Sequence, residues 1–429
     1  VNGRLSLGHT DQQAHDYARG IADQGRPQPG TTQFNNLFNF MKRIPIGKPA
    51  AGAPLGGGRF LDRTDLYAVE GQYNLTHLTK DFADVLVGGN FRRFVLNSQG
   101  TLFADSTGPI GINEVGAYIQ VSKSLFNDVL RLTVSGRYDK NQNFKGRFTP
   151  RATALVKLAK NNNLRLSYQT AYRFPSTQQQ WINLLVGGSL QLIGGNRDFR
   201  TFYNLNSNPV VAVVNGQPTS EVVTVTDFKP ESVTSFEFGY KGLNFNNKLL
   251  IDGYVYYGIY QDFLTRRVVM QNPTTTRKLF SIPVNVEDQV KTFGYGISLD
   301  YRLPGNFTIG GNLSSDELRD VPQGQQSFFS TPKYRTNITL ANTGIGKSKR
   351  IGFSLVYRWQ DAFLYESDFA SFEIPAVHTL DAQVSYKVPK SKLLFKVGGN
   401  NILNQYYIPG AGNPAIGGLY YVSIAHNVF

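Results

Sequence analysis

Apolar and polar residues take strict turns along residues 378–388. Leu380, Ala382, Val384, Tyr386 and Val388 fall on one face of an extended chain, and Thr379, Asp381, Gln383, Ser385 and Lys387 on the other. A period of two is the period of a β-strand, so the segment has one face for hydrocarbon and one for water. The same alternation recurs in segments of about ten residues through most of the chain, which is the length that crosses an apolar band at the tilt of a barrel strand. Repeated in this way it describes a wall with hydrocarbon on one side and water on the other. The expected fold is all-β, a transmembrane antiparallel β-barrel.

Sixteen or so segments carry the signal: 1–8, 65–76, 83–96, 113–123, 129–138, 147–158, 164–173, 231–241, 248–260, 288–303, 306–318, 334–341, 350–360, 377–388, 392–401 and 418–429. In 129–138, Leu130, Leu132, Val134, Gly136 and Tyr138 oppose Arg131, Thr133, Ser135 and Arg137. Short turns alternate with long connections, as in outer-membrane barrels, whose periplasmic turns are short and outer loops long. Two stretches, about 10–64 and 174–230, lack the alternation, are rich in loop-forming residues and read as long outer loops. In the last segment Val422, Ile424 and Val428 share a phase that Phe429 does not.

Composition removes other classes. No apolar run approaches the roughly 20 residues of a membrane helix. There is no cysteine, so neither a disulfide nor a thiolate metal site is available, and the five histidines show no HExxH spacing. Neither a Gly-x-Ser-x-Gly elbow nor a cofactor motif occurs. Gly344-Ile-Gly346-Lys347-Ser348 resembles the end of a phosphate loop, but Ala341 stands where that loop needs glycine, and the segment reads as a basic turn. The expectation is a non-enzyme with no cofactor and no metal. The net charge of +14 is spread over alternate strand positions rather than clustered, which argues for a basic lumen or rim and against nucleic acid. Aromatics make up 13% of the chain and are expected in girdles at the lipid boundary, Tyr406, Tyr407, Tyr420 and Tyr421 among them.

Candidate functional residues fall in two groups. The wet face carries Arg131, Arg137, Arg151, Lys157, Arg165, Arg173, Arg335, Arg358, Lys387 and Lys396, more cations than the acids Glu70, Glu237, Asp252, Asp300 and Asp381. Such cations either draw in an anionic solute or pair with the carboxylates of a plug and solvate the wall; the second reading is favoured, because a plugged barrel needs such contacts. In the loop 174–230, Trp181, Arg197, Phe199, Arg200, Phe202 and Tyr203 combine aromatic faces with donors able to hold a sugar or chelate ring. The earlier loop adds Tyr17, Phe34, Phe38 and Phe40.

Several stretches taken together carry a resemblance: Asn113-Glu-Val-Gly-Ala-Tyr118 through Val134-Ser-Gly-Arg-Tyr-Asp139, Phe148-Thr-Pro-Arg151, Ser167-Tyr-Gln-Thr-Ala-Tyr-Arg-Phe-Pro175, Leu380-Asp-Ala-Gln-Val-Ser-Tyr386 and Gly399-Asn-Asn-Ile-Leu-Asn-Gln-Tyr-Tyr407. From about residue 113 onward the chain resembles the TonB-dependent outer-membrane receptors, particularly those of the Bacteroidetes type. The resemblance implies a barrel of about 22 strands behind an N-terminal plug. This chain is then the later part of the barrel, with the plug and roughly the first six strands upstream of Val1. The opening on Val1, without Met or an export signal, fits a processed product or a fragment. The implied function is energised uptake of a bulky, scarce solute, such as a siderophore, glycan, peptide or corrinoid, across a Gram-negative outer membrane. The implied partners are outer-membrane lipid, the TonB complex acting through the plug, a surface lipoprotein, and a solute on the outer loops. The alternatives are a passive sixteen-stranded porin with a charged constricting loop, and a structural or secretion-associated barrel.

Overall fold

In the computed structural model, which describes residues 11–48, 50–53, 56–79, 82–214, 216–368 and 370–428, the segments from 65 onward all become strands. The expected strand at 1–8 and Phe429 lie outside the described residues. In chain order the strands are β1 (Asp65–Asn74), β2 (Asp84–Leu96), β3 (Ile110–Leu125), β4 (Leu130–Asn141), β5 (Arg147–Ala159), β6 (Asn162–Arg173), β7 (Asn183–Val186), β8 (Leu190–Ile193), β9 (Val210–Val214), β10 (Gln217–Val223), β11 (Glu231–Asn244) and β12 (Leu249–Gln261). They continue with β13 (Leu264–Gln271), β14 (Lys278–Asn285), β15 (Val290–Arg302), β16 (Phe307–Arg319), β17 (Gln325–Gln326), β18 (Tyr334–Ile345), β19 (Ile351–Gln360), β20 (Phe363–Glu366), β21 (Ser371–Ile374), β22 (Val377–Val388), β23 (Leu393–Asn400) and β24 (Leu419–His426).

Fifteen of these form one sheet in the order β1-β2-β3-β4-β5-β6-β11-β12-β15-β16-β18-β19-β22-β23-β24, every neighbour antiparallel. The register shows what the alternation accomplishes. Val85, Val121, Val134, Ala152, Tyr168, Phe236 and Tyr257 lie side by side across seven strands. One residue away on each strand, Asp84, Ser122, Thr133, Thr153, Ser167, Glu237 and Tyr256 make the matching row on the opposite face. A slip of one residue would exchange the two rows, so burial of one face in lipid specifies the register strongly. Among the described residues β1 and β24 are the sheet's edges.

Two of the tight turns at one end are chemically alike. Phe126-Asn127-Asp128 and Phe245-Asn246-Asn247 each place three successive residues at positive φ, a conformation that Asn and Asp tolerate best. Phe126 and Phe245 stand exposed at these turns, and Tyr138, Phe148 and Tyr420 are exposed on the apolar face toward the long-loop end, as girdles require. The girdles do not hold all the aromatics. Tyr421, expected among them, pairs with Gly398 and donates to Gln383 at 3.0 Å on the polar face. Tyr118, Tyr254 and Tyr256 share that face, each ring lying over a glycine of the next strand: Gly88, Gly296 and Gly294. Just past β24, Asn427 takes a positive φ, which ends the strand there.

The connections at the long-loop end are not irregular. Residues 174–230, expected to be a loop, contribute four strands, which join two from 262–289 in a second sheet ordered β10-β9-β13-β14-β8-β7, with β17 beside β13. The pairing of β14 with β8 is parallel and the rest antiparallel. Short helices α4 (Thr177–Trp181) and α5 (Arg197–Phe202) complete it; among the described residues the 10–64 region and the turn after β1 hold three more, numbered first: α1 (Asp11–Ala22), α2 (Thr32–Met41) and α3 (Thr76–Thr79). Ile193, Phe199, Leu205, Val210, Ala212, Val223, Val269, Phe280 and Ile282 form its buried core.

The described residues up to Asp62 form one compact unit and those from Arg63 onward another. The expected loop character of the first is corrected by α1 and α2. Ala14, Tyr17, Ala18 and Ile21, and again Phe34, Leu37, Phe38 and Met41, recur at helical spacing within Gly- and Pro-rich surroundings. The Thr31 side chain caps α2 by accepting from the Phe34 N–H at 3.2 Å, and the Phe34 and Phe38 rings stack at 6.0 Å. No described helix is long and apolar enough to cross a membrane.

Gly296→Val would put a Cβ within 2.6 Å of the Tyr254 ring. Together with Gly294→Val it is expected to cost about 1–3 kcal/mol by overpacking. Gly71→Ala meets nothing within 4 Å and should change stability by less than about 0.5 kcal/mol. Denaturant midpoints of the refolded protein in micelles check the contrast.

Candidate functional site

Because the sheet alternates, a cation on the polar face has side-chain neighbours on the flanking strands and, for an arginine, on the strand beyond. Arg131 of β4 reaches Asp84 of β2 at 2.9 Å, Arg358 of β19 reaches Asp381 of β22 at 2.8 Å, and Arg173 of β6 reaches Glu231 of β11 at 2.7 Å. Arg165 donates to Glu237, Lys241 pairs with Asp252 at 2.8 Å, and Arg335 with Asp316 at 2.6 Å. Except for the Arg173 pair, whose Glu231 is buried, these pairs are partly to largely exposed, so each is worth about 0–1 kcal/mol. Their consequence is electrostatic: a face rich in arginine presents far less net charge than its cation count implies. The partners of these six cations belong to the wall itself.

The polar face forms a concavity of 870 Å³ toward the long-loop end of β1–β6, lined among others by Glu70, Asn90, Arg92, Glu114, Arg137, Asp139, Arg151 and Gln169. Arg137 is its hub. Its guanidinium forks onto Asp139 at 2.5 and 2.6 Å and donates to the Asn90 carbonyl at 2.5 Å. All three meet over Gly116, where any Cβ would collide with them. Glu114 accepts from Asn141 at 2.8 Å and lies 4.0 Å from Arg92. Among the described residues Glu70 and Arg151 have no ion-pair partner, so this stretch keeps charges of both signs available.

Glu231 ties the wall to the second sheet. Its carboxylate, 7% exposed, takes Arg173 on one oxygen and the Leu264 N–H of β13 on the other at 2.8 Å. Farther into that sheet Arg266, 2% exposed, donates to Ser281 Oγ at 3.1 Å and to the carbonyls of Ser281 and Ile193 at 2.9 Å, with Asp368 at 3.1 Å. Burial pulls the Arg266 pKa below its ordinary value, and Asp368 opposes that pull. The Asp368 ion pair links the connection between β19 and β22 to the sheet.

The six loop candidates come to one region, in two different roles. Phe199 is 4% exposed inside the core, and Trp181 packs on that core with its ring 6.5 Å from Phe199. Arg200 donates to the Val225 carbonyl at 3.0 Å and to Asp227. Tyr203 donates to Asn183 at 2.7 Å and meets Phe280 edge-on at 5.1 Å, and its burial raises the phenol pKa against the opposing effect of that bond. These four hold the loop sheet together. Phe202 and Arg197 stand exposed. Residue type alone could not separate the groups, since a ring that fills a core and a ring that meets a solute have the same composition. The residues missed by sequence reasoning are Asn90, Gly116 and Asp139, polar or small residues on the expected wet face whose convergence depends on register.

Residues 2–402 match the family described as TonB dependent receptor-like, β-barrel. The chain is similar in fold to the siderophore receptor PirA from Acinetobacter baumannii, with a TM-score of 0.61 at 15% identity over 89% of this chain and 57% of that one. It is also similar to the FrpB iron transporter from Neisseria meningitidis, TM-score 0.58 at 14% identity over 86% and 55%. For the copper transporter OprC the TM-score is 0.57 at 13% identity over 84% and 56%. The chain thus spans little more than half the length of these structures. No curated protein matches the sequence.

Phe199→Ala should destabilise the loop sheet by about 3–5 kcal/mol, read as faster proteolysis of residues 174–230 with the wall strands still protected. Phe202→Ala, at an exposed ring, should leave the proteolysis rate unchanged.

Proposed function

Because this chain belongs to the TonB-dependent receptor β-barrel family, a family of outer-membrane transporters and receptors, we propose that it forms wall and outer loops of a transporter that imports a bulky, scarce solute with energy from the TonB complex. The two-faced sheet carries the reading, since one continuous face is apolar and the other holds a lattice of matched charges. Solute would arrive at the long-loop end, which in such barrels faces outward. The mixed-charge concavity around Arg137 would receive it on the lumen side. Further strands close the edges at β1 and β24, because an open edge in lipid leaves backbone groups unbonded at a cost of several kcal/mol each. A plug supplied by the rest of the receptor would occupy the lumen and contact TonB. A surface lipoprotein remains a fitting partner for the loop sheet. Relatives in fold are described as siderophore, iron and copper transporters, and a metal chelate stands beside glycan, peptide and corrinoid as solute.

A passive porin needs a constricting loop lined with opposed charges. Residues 174–230 instead fold around an apolar core shared with β13 and β14, which supports the energised reading.

Cells carrying the complete receptor, offered a panel of ferric siderophores, corrinoids and oligosaccharides, should accumulate one class only while TonB is present. Uptake equal with and without TonB, or large steady conductance of the purified receptor in planar bilayers, would overturn the proposal.

A further inference from the structure

A second cavity, of 530 Å³, opens at the long-loop end of β5, between the β4–β5 connection and the segments 195–197 and 227–230. Its size is that of a small-molecule site. Its wall carries four cations, Lys145, Arg147, Arg197 and Lys229, against one carboxylate, Asp227. That carboxylate is already engaged, because Arg200 donates to it and holds it below the usual carboxylate range. Lys229 lies 3.4 Å from Asp262. Lys145, Arg147 and Arg197 have no ion-pair partner among the described residues, unlike Arg131, Arg137, Arg165, Arg173 and Arg358 on the wall. Arg197 also acts on Asp227, at longer range than Arg200, so four cations share one carboxylate that is already bonded, and the positive field they focus favours an anion.

The cavity also has an aromatic corner. Phe144 stacks on Phe174 at 6.0 Å and meets Phe228 at 6.3 Å, and the Phe228 ring lies over Gly195, where a Cβ would approach it to 2.7 Å. The rings are thus fixed before any ligand arrives.

We propose that this cavity binds a small aromatic polyanion, its acidic groups on Lys145, Arg147 and Arg197 and its ring against Phe228. This rests on the uptake reading above and narrows its solute to that class. Field strength draws the anion, and the fixed rings select a planar one over an aliphatic one.

Pyranine, an aromatic trisulfonate, serves as the probe, by fluorescence anisotropy with the purified protein in zwitterionic micelles. It should bind more tightly than the cationic dye rhodamine 123. The double variant Lys145→Glu, Arg197→Glu should weaken it at least about tenfold, Phe228→Leu by a smaller factor, and Lys347→Glu in a distant short turn not at all. Binding no tighter than that of rhodamine 123, or unchanged by the double reversal, overturns the proposal. TonB-dependent uptake by cells without pyranine binding by the protein would sink this inference alone. Pyranine binding at these residues with TonB-independent uptake would support the site and sink the uptake reading.

Discussion

Hydrocarbon offers a backbone no hydrogen-bonding partner, and the rest of this protein follows from that deprivation. A strand crossing lipid must give every N–H and C=O to a neighbouring strand, so the chain has no choice but long antiparallel ladders such as β11 against β12, paired from Ser232–Gln261 through Asn244–Leu249. Once the ladder exists, the pleat sends successive side chains to opposite faces. Apolarity on one face and polarity on the other then become a single requirement repeated along each strand.

The wet face is built from the same geometry. Side chains opposite or diagonal to one another on adjacent strands are close enough to pair, as Arg358 is with Asp381, and other arginines reach farther: Arg131 and Arg137 of β4 cross β3 to Asp84 and Asn90 of β2, and Arg137 also takes Asp139 two residues along its own strand. The tyrosines have found glycines. Tyr118, Tyr254 and Tyr256 lie flat where Gly88, Gly296 and Gly294 leave room, which spares the polar face the voids that those glycines would otherwise open. Where matching is incomplete, around Lys145, Arg147 and Arg197, cations outnumber carboxylates in one concavity.

Beyond the bilayer the constraint relaxes, and the chain changes style. Strands there are short, five residues in β9 and four in β7 and β8, and they are buried by one another rather than by lipid. Their sequences, such as Val210-Val-Ala-Val-Val214, run apolar without alternation because both faces meet protein. This explains why a stretch read as loop is a sheet, and why Phe199 and Trp181, attractive as ligand contacts, turn out to build a core. The helices α1 and α2 were legible by their spacing and were obscured only by the glycines and prolines around them.

The chain's own letters were enough to determine the wall strands, their two faces and the tight turns between them, because a period of two and an Asn-rich turn are local properties that need no partner to be read. Only the tertiary structure decided which carboxylate each arginine meets, that three residues converge over Gly116, and which of the aromatics in 174–230 lie inside. Those outcomes depend on register and on contacts between segments tens of residues apart, as between Arg165 and Glu237 or Arg266 and Ile193. No local pattern carries that distance.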